Sequence, residues 1–492
     1  MLPAISGEGT AHIIASGKLA LAIATDVALV TGMRFDQFAR VFGGAHADGS
    51  LGAPEMVVPP LPHATTGDKQ GRRPHRREEL ATFSTSPMTP VFILQTWLLG
   101  ILSAGLIAGV VYAAREWQHR SWIWDPVHQQ SIFSPSLGWN EDTAILVAAV
   151  ALALIVLFGA AIIKTIAKIS LKSAGGEARP QPPAPAAIHK IKRPDGSILH
   201  VECFGPEDGT PIILTHGWTL NGNAWKYFLR LMAGRFRLIV WDEPGLGRST
   251  RPANRDYSLE NLAGDLQAVL ALAKGRPAVL LGHSIGGMIT LTFSRLFPQE
   301  LGGRVMALVL THTTPTDPVR TTKGAALYTV LEKPVLVPLM YLTIALSPLF
   351  WLLNWLSYLN GSAHLSVMRG SFAGTETWEQ VEFAARFQLH ASPAVVARGM
   401  LGMMRYDASG VLHRINVPTL VVAGDRDTTT MPQASDWMEA RIPNCQRVTL
   451  GPARHLGHME HNEFYCTSVR LFVEECGREA SSVPASSDGR LL

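Results

Sequence analysis

The chain has 492 residues, of which 47% are hydrophobic and only 17% are charged, and its formal net charge is +4. So small a charge gives no indication of nucleic-acid binding, whereas the hydrophobic excess indicates membrane association, and the length leaves room for more than one domain. The four cysteines form no C-x-x-C pair, which argues against a disulfide framework or a zinc site. They are Cys203, Cys445, Cys466 and Cys476.

The sequence of residues 1–87 predicts a disordered N-terminal extension. Glycine, proline and arginine are frequent in its second half, which includes the run from Arg72 to Arg77. Its apolar stretch from Ile13 to Val30 is interrupted by charged residues, and a charge at the centre of a bilayer is costly. An alternative hypothesis is that translation begins at Met88, because a sequence typical of a membrane protein follows it.

The sequence of residues 88–172 predicts a membrane region with transmembrane helices at about 91–114 and 143–163. Both stretches are uncharged and long enough to cross a bilayer. The loop between them is rich in tryptophan, while arginines precede the first helix and lysines follow the second. The positive-inside rule therefore predicts a two-pass integral membrane protein with both flanks in the cytoplasm. The three lysines, Lys164, Lys168 and Lys172, share a helical face that either contacts anionic lipid or is simply solvated.

A proline-rich linker at 173–188 separates this region from a predicted domain at 189–477. Residues 478–492 are predicted to form a disordered tail. Strands and helices alternate through the domain. This alternation predicts an α/β fold with a mostly parallel sheet covered by helices on both faces. The predicted elements are a hairpin at 191–203, strands at 211–215, 236–241, 277–281, 305–310, 419–423 and 447–450, and helices at 224–232, 259–273, 288–297, 433–440 and 463–475.

The sequence Gly282-His283-Ser284-Ile285-Gly286 lies between the strand at 277–281 and the helix at 288–297. This context predicts a nucleophile elbow, in which Ser284 takes a strained backbone conformation at the edge of the sheet. Gly282 and Gly286 are needed because side chains at these positions would collide with the flanking elements. The amide of Ile285, at the start of a helix, is a candidate oxyanion donor.

Further motifs follow other strands of the predicted sheet. After the strand at 211–215, Gly217 allows a sharp turn and the amide of Trp218 is the second candidate oxyanion donor. Asp427 ends the sequence Gly-Asp-Arg-Asp after the strand at 419–423, and His458 follows the last strand. The chain order of Ser284, Asp427 and His458 predicts a nucleophile, an orienting acid and a general base.

Several other residues could take part instead. Asp425 and Asp317 are less favoured candidates for the acid. His455, His458 and His461 recur every three residues as metal ligands can, but no cysteine or carboxylate set completes a site, so neither a metal nor a cofactor is expected. His455 and His461 are interpreted as surface or loop residues. His216 and His283 are expected to support the oxyanion loop and the elbow by hydrogen bonding.

Together with the sequence from Asp242 to Ser249, these motifs resemble those of the α/β-hydrolase superfamily, of the lipase or esterase type, over about 189–477. The resemblance implies that Ser284 is the nucleophile, His458 the base and Asp427 the acid, with Trp218 and Ile285 as oxyanion donors. Thr219 stands where epoxide-hydrolase relatives usually carry proline, and a serine at the elbow argues against epoxide or haloalkane chemistry.

An insertion at about 315–417 lies where these hydrolases place a lid. It is unusually apolar, because the stretch from Pro334 to Met368 has no formal charge, and Pro334, Pro338 and Pro348 are predicted to break any single spanning helix. A single crossing would put the triad residues on opposite sides of the membrane. The insertion is therefore expected to cross an even number of times or to lie on the membrane. It either takes acyl chains from the bilayer or is an ordinary cap.

The leading hypothesis is a membrane-anchored serine hydrolase that cleaves lipophilic carboxylic esters through an acyl-enzyme. Its expected partners are a lipophilic ester and membrane lipid, and no nucleic acid. The same triad could serve thioester cleavage, C–C bond hydrolysis or haloperoxidase chemistry. An alternative from another class is a non-catalytic membrane scaffold with the same fold.

Overall fold

The computed structural model describes residues 90–134, 140–170 and 181–482. The predicted extension at 1–87, much of the predicted linker and the residues after 482 lie outside the described residues. The strands are β1 (Trp122–Asp125), β2 (Gln130–Phe133), β3 (Ala187–Lys192), β4 (Ile198–Phe204), β5 (Pro211–Thr215), β6 (Arg237–Trp241), β7 (Ala278–His283), β8 (Val305–Thr311), β9 (Thr419–Gly424) and β10 (Cys445–Leu450). The helices are α1 (Pro90–Arg120), α2 (Glu141–Ser170), α3 (Lys226–Met232), α4 (Leu259–Leu270), α5 (Ile285–Leu296), α6 (Ala325–Leu331), α7 (Val337–Ala345), α8 (Ser347–Leu359), α9 (Ser362–Ser371), α10 (Trp378–His390), α11 (Pro393–Met403), α12 (Pro432–Glu439), α13 (Gly457–Glu460) and α14 (Asn462–Ser482).

An eight-stranded sheet has the order β10-β9-β8-β7-β5-β6-β4-β3. All neighbours from β10 to β6 run parallel, whereas β4 is antiparallel to β6 and to β3. The predicted mostly parallel sheet is confirmed. Its central strands are buried along their whole length, which explains why they are continuous apolar runs rather than alternating ones. The domain extends past both predicted ends, since β3 begins at Ala187 and α14 continues to Ser482.

Two apolar cores cover the two faces of this sheet. Leu266 of α4 and Ile289 of α5 pack with Leu280 of β7 on one face. Phe228 of α3 and Val469 of α14 belong to the core on the other. Residues next to one another in a strand point to opposite faces, so each central strand contributes to both cores. This two-sided burial holds the carboxyl ends of the parallel strands together at one edge.

The insertion between β8 and β9 contains helices α6 to α11. One helical stretch runs from Ala325 to Ala345, and its π-helical turn Glu332–Leu336 contains Pro334. The expectation that Pro334 and Pro338 break this helix is wrong. The wider turn accommodates the lost amide at Pro334, and Pro338 sits in the first turn of α7. A break occurs at Leu346, two residues before Pro348 in the first turn of α8.

Helices α1 and α2 are joined through a short antiparallel hairpin of β1 and β2, which the sequence did not predict. Two described stretches are long and apolar enough to cross a membrane, Glu141–Ile166 and Ala325–Ala345. The first overlaps the second predicted transmembrane helix, whereas the other lies in the insertion. Membrane crossing by α1 and α2 stays a prediction.

The N-terminal helices pack closely against α8 and the turn that follows it. A Cβ atom added to Gly100 would lie 2.7 Å from Cβ of Leu353, and one added to Gly159 would lie 2.1 Å from the carbonyl oxygen of Asn360. Asn360 Nδ2 also donates a hydrogen bond to Ser103 Oγ at 2.5 Å. Small residues at helix crossings let backbones approach in this way. The insertion is therefore fastened to both N-terminal helices.

Candidate active site

The elbow between β7 and α5 has the geometry that its glycines predict. Ser284 has φ +55° and is 3% exposed. A Cβ atom at Gly282 would lie 2.2 Å from the carbonyl oxygen of Gly286, and one at Gly286 would lie 2.4 Å from that of Thr215. Both contacts are far shorter than van der Waals distance, so side chains are excluded as expected. The strained conformation of a non-glycine residue at this point is typical of a functional position.

His455, and not His458, contacts Ser284. Its Nε2 lies 3.0 Å from Ser284 Oγ, and its Nδ1 lies 2.9 Å from Asp427 Oδ2. The expectation that His458 reaches the serine is wrong. His455 lies in a loop, as one of its two interpretations had it, but it is a buried site residue and not a surface residue. His455 lies in the segment between β10 and α13, close to the sheet edge, and is 2% exposed.

His458 lies inside α13 and its side chain packs within the domain. Its ring centroid is 4.2 Å from that of His283 and 5.5 Å from that of Trp225. Burial, followed by the nearby His312 and His455, lowers its pKa well below the usual value. The two imidazoles therefore have different partners, although His455 and His458 are only three positions apart in the chain. The Gly-His dipeptide at 457–458 led to the prediction that His458, rather than His455, is the general base.

Asp427 is held as a carboxylate by several donors. Its Oδ1 accepts hydrogen bonds from the amides of Thr429 at 2.8 Å and Thr430 at 3.2 Å, and its Oδ2 accepts one from Thr430 Oγ1. Burial acts to raise its pKa, but the neighbouring imidazoles of His455 and His312 outweigh burial and lower it. An ionised Asp427 accepts a hydrogen bond from the Nδ1–H group of His455, which leaves Nε2 unprotonated and able to accept a proton from Ser284.

The other candidate acids lie elsewhere. Asp425 is exposed and accepts a hydrogen bond from the amide of Ala453 at 2.8 Å. Asp317 accepts one from the amide of Val319 at 2.8 Å, at the start of a short 3₁₀ turn, and burial raises its pKa to about 6. Neither carboxylate forms a hydrogen bond with His455.

His312 is a site residue that the sequence analysis missed. It follows β8 with φ +46°, it is 1% exposed, and its Nδ1 lies 3.4 Å from Asp427 Oδ2. Its position after a parallel strand, at the same sheet edge as the elbow, is the signal that could have identified it.

His283 and His216 support the neighbouring backbone, as expected. His283 Nε2 donates to the carbonyl oxygen of His455 at 3.0 Å, which fixes the backbone that carries the base. His216 Nδ1 donates to the carbonyl oxygen of Gly217 at 2.9 Å, and its Nε2 accepts from the amide of Glu243 at 3.1 Å. Burial lowers the pKa of both imidazoles, so both are neutral hydrogen-bonding groups.

The loop after β5 lies against the elbow. A Cβ atom at Gly217 would lie 2.6 Å from His283 Nδ1, so this glycine is required by close approach. The unusual backbone angle belongs instead to Thr219, with φ +69°. Trp218 is fully buried, and its Nε1 donates to the carbonyl oxygen of Val396 at 3.1 Å. The roles of the Trp218 and Ile285 amides as oxyanion donors stay predictions.

A cavity of about 110 Å³ opens beside His455 and Trp218. Helices α7 to α11 provide most of its wall, and the lining side chains are predominantly apolar. They include Leu220, Met340, Val367, Phe387, Val396, Ala397, Met400 and Leu456. The insertion therefore forms the roof of an apolar space next to the triad.

The three histidines at spacing three point to different partners. His455 contacts the serine and the aspartate, His458 packs on Trp225, and His461 Nε2 donates to the carbonyl oxygen of Pro452 at 2.7 Å. Within residues 90–134, 140–170 and 181–482, no group of histidine, cysteine and acidic side chains is arranged to hold a metal ion.

Comparison with known proteins finds hydrolases and esterases that are similar to the domain with the eight-stranded sheet. A family model described as the alpha/beta hydrolase fold matches residues 210–332. A pimeloyl-[acyl-carrier protein] methyl ester esterase of Nitrosomonas europaea is 26% identical over 264 residues, which cover 53% of this chain and 92% of that protein. A non-heme chloroperoxidase of Streptomyces lividans is 32% identical over 122 residues, 25% of this chain and 43% of that protein.

Among solved structures, an esterase from Exiguobacterium antarcticum is 22% identical, covers 58% of this chain and 98% of its own, and has a TM-score of 0.48. The sheet order and the family match show an α/β-hydrolase fold. The chain is an enzyme with this fold, and its catalytic domain is the part that contains the eight-stranded sheet.

Proposed function

We propose that this protein is a membrane-anchored serine hydrolase that cleaves lipophilic carboxylic esters through an acyl-enzyme. Ser284 is the nucleophile, His455 the general base and Asp427 the acid that orients it, with the amides of Trp218 and Ile285 as oxyanion donors. The observation that carries the proposal is the unbroken chain of contacts from Asp427 Oδ2 through His455 to Ser284 Oγ, at 2.9 and 3.0 Å.

The proposed reaction has two halves. In the first, Ser284 Oγ attacks the ester carbonyl while its proton passes to His455 Nε2, and the same proton then protonates the departing alcohol. In the second, His455 takes a proton from water, the resulting hydroxide attacks the acyl-enzyme, and the carboxylic acid leaves as Ser284 recovers its proton. The charge on Asp427 stabilises the imidazolium that forms in each half.

The apolar cavity supports a substrate with a hydrophobic acyl group. Its wall is built from the insertion, whose outer surface also exposes large apolar side chains, including Val330 at 72% and Tyr341 at 55%. Acyl groups entering from a bilayer would meet apolar surface on both sides of these helices. The relative from Nitrosomonas europaea acts, by its name, on a methyl ester of a carrier-bound acyl group, which agrees with an ester substrate.

A fluorophosphonate probe tests the chemistry, because it traps an activated serine. Wild-type protein in mild detergent should be labelled covalently, and Ser284→Ala should remove the label while the protein remains folded by circular dichroism. Undiminished labelling of Ser284→Ala, or no labelling of folded wild type, would overturn the assignment of the nucleophile.

The proposed topology places α1 and α2 across the membrane, the hairpin of β1 and β2 outside, and the catalytic domain in the cytoplasm. Val127, in that hairpin, is 81% exposed. Val127→Cys should react with a membrane-impermeant maleimide in intact cells, whereas Cys445, the partly exposed native cysteine, should react only after lysis. Labelling of Val127→Cys only after lysis would contradict the proposed orientation.

A second candidate function is haloperoxidase chemistry, which the match to the chloroperoxidase of Streptomyces lividans favours. The same serine would form an ester with a small carboxylic acid and pass the acyl group to hydrogen peroxide. Halogenation that depends on both acetate and peroxide, and that is lost in Ser284→Ala, would support it. Ester hydrolysis without such halogenation would leave the hydrolase as the sole function of the site.

A further inference from the structure

A second, larger cavity of about 930 Å³ lies next to the apolar one, between the insertion and the segment at 251–257. Pro393, at the start of α11, lines both cavities, so they share a wall. The chemistry of the larger cavity is different. Arg251, Arg255 and Arg398 all line it, and none of its lining residues is acidic.

Arg251 and Arg255 are exposed, whereas Arg398 is partly buried. None of the three forms an ion pair within the described part of the chain, and Arg398 Nη1 donates a hydrogen bond to the carbonyl oxygen of Ala394 at 3.3 Å. Burial lowers the pKa of Arg398, and repulsion by the positive charge of Arg255 acts in the same direction. Arginines kept together against this repulsion are typical of a site for an anion.

Two neighbouring features add to the positive potential and indicate an amphiphilic ligand. Ser392, Pro393 and Ala394 line the cavity at the N-terminus of the eleven-residue helix α11, where the helix dipole is positive. Trp351 of α8 also lines it and is 46% exposed. An indole with one face on an apolar lid is characteristic of the interface between lipid tails and head groups.

We propose that this cavity binds a phosphate group, and that the phosphate belongs to an amphiphilic ester whose acyl group occupies the apolar cavity beside Ser284. This inference rests on the ester hydrolysis proposed above and specifies its substrate class. A guanidinium group binds two phosphate oxygens at once, and Pro393, which lines both cavities, shows that the two cavities lie next to each other. Free phosphate has the same chemistry, so the experiment separates the two sources.

The test compares 1-acylglycerol with 1-acylglycerol 3-phosphate of the same acyl length, using the full chain in detergent. Wild type should prefer the phosphate ester. Arg398→Gln should reduce this preference, as a ratio of kcat/KM values, by about tenfold, and Arg251→Gln with Arg255→Gln by up to about a hundredfold, mainly through KM. Arg398→Lys should retain part of the preference, and Arg405→Gln, an exposed arginine outside the cavity, should retain all of it.

Binding in the Ser284→Ala background separates this inference from the function on which it rests. Calorimetric titration with the phosphate ester should show binding that weakens with each arginine substitution, even if neither ester is hydrolysed by wild type. Competition by inorganic phosphate, with no preference between the two esters, would assign the arginines to the free anion. Hydrolysis and binding that are indifferent to both the phosphate and the three arginines would overturn the site while leaving the hydrolase intact.

Discussion

At the scale of single residues, the site depends on which of two nearby imidazoles reaches the elbow. Residue types and their order after the strands predicted the serine and the aspartate, because both motifs end at the edge of a parallel sheet. The histidine could not be assigned in the same way. His455 and His458 both follow β10, and their directions are set by the start of α13 at Gly457, which motif spacing does not reveal.

Substituting these two histidines should therefore have very different effects. His455→Ala removes the proton acceptor of Ser284 and should reduce kcat/KM for ester hydrolysis by about 10⁴-fold or more. His458→Gln leaves that acceptor in place and should stay within about tenfold of wild type. Rates measured with a chromogenic ester would check both. The opposite ranking of the two variants would restore His458 as the base.

At the scale of elements, the predictions that were confirmed include those of the central strands, which are buried on both faces of the sheet. The strands at 211–215, 305–310 and 419–423 were recognisable because central parallel strands are continuous apolar runs bounded by turns. The continuous helix over Ala325–Ala345 could not be recognised from the sequence. Local sequence rules treat proline as a helix break, whereas here a π-helical turn accommodates Pro334. Nor could sequence show that α1 and α2 pack on α8, since this contact depends on distant small residues.

The packing of α2 on the insertion should be sensitive to a single methyl group. Gly159→Ala would place a Cβ atom 2.1 Å from the carbonyl oxygen of Asn360 and should lower stability by about 1–3 kcal/mol, seen as a lower Tm in detergent. Gly109→Ala, where nothing lies within 4 Å in the described structure, is the matched control and should leave Tm unchanged or slightly raised. Equal shifts in the two variants would contradict the close crossing.

At the scale of the whole molecule, the buried histidines make folding depend on pH. The pKa of His458 lies well below its usual value of about 6.5 when folded, so the unfolded chain binds more protons as the pH falls through that value. Stability contributed by the neutral imidazole is therefore present above about pH 6.5 and is lost on acidification. The pKa of His283 is lowered in the same direction, again mainly by burial.

His458→Gln should reduce this acid sensitivity. Between pH 7.5 and 5.5 the wild type should lose about 1.4 kcal/mol more stability than the variant, because glutamine does not titrate. Thermal unfolding of both proteins at the two pH values measures the difference. A variant that loses as much stability as wild type would show that the pKa of His458 is not lowered in the folded protein.

The crossing of α2 over the turn at Asn360 has an evolutionary consequence. Gly361 approaches Ile163 of α2 as closely as Gly159 approaches Asn360, since a Cβ atom at Gly361 would lie 2.1 Å from Ile163 Cδ1. A bulkier residue on either side can be accepted only if the other side recedes. Among descendants of this chain, positions 159, 163, 360 and 361 should therefore change in concert, and the N-terminal helices and the roof of the active site should be inherited as one unit.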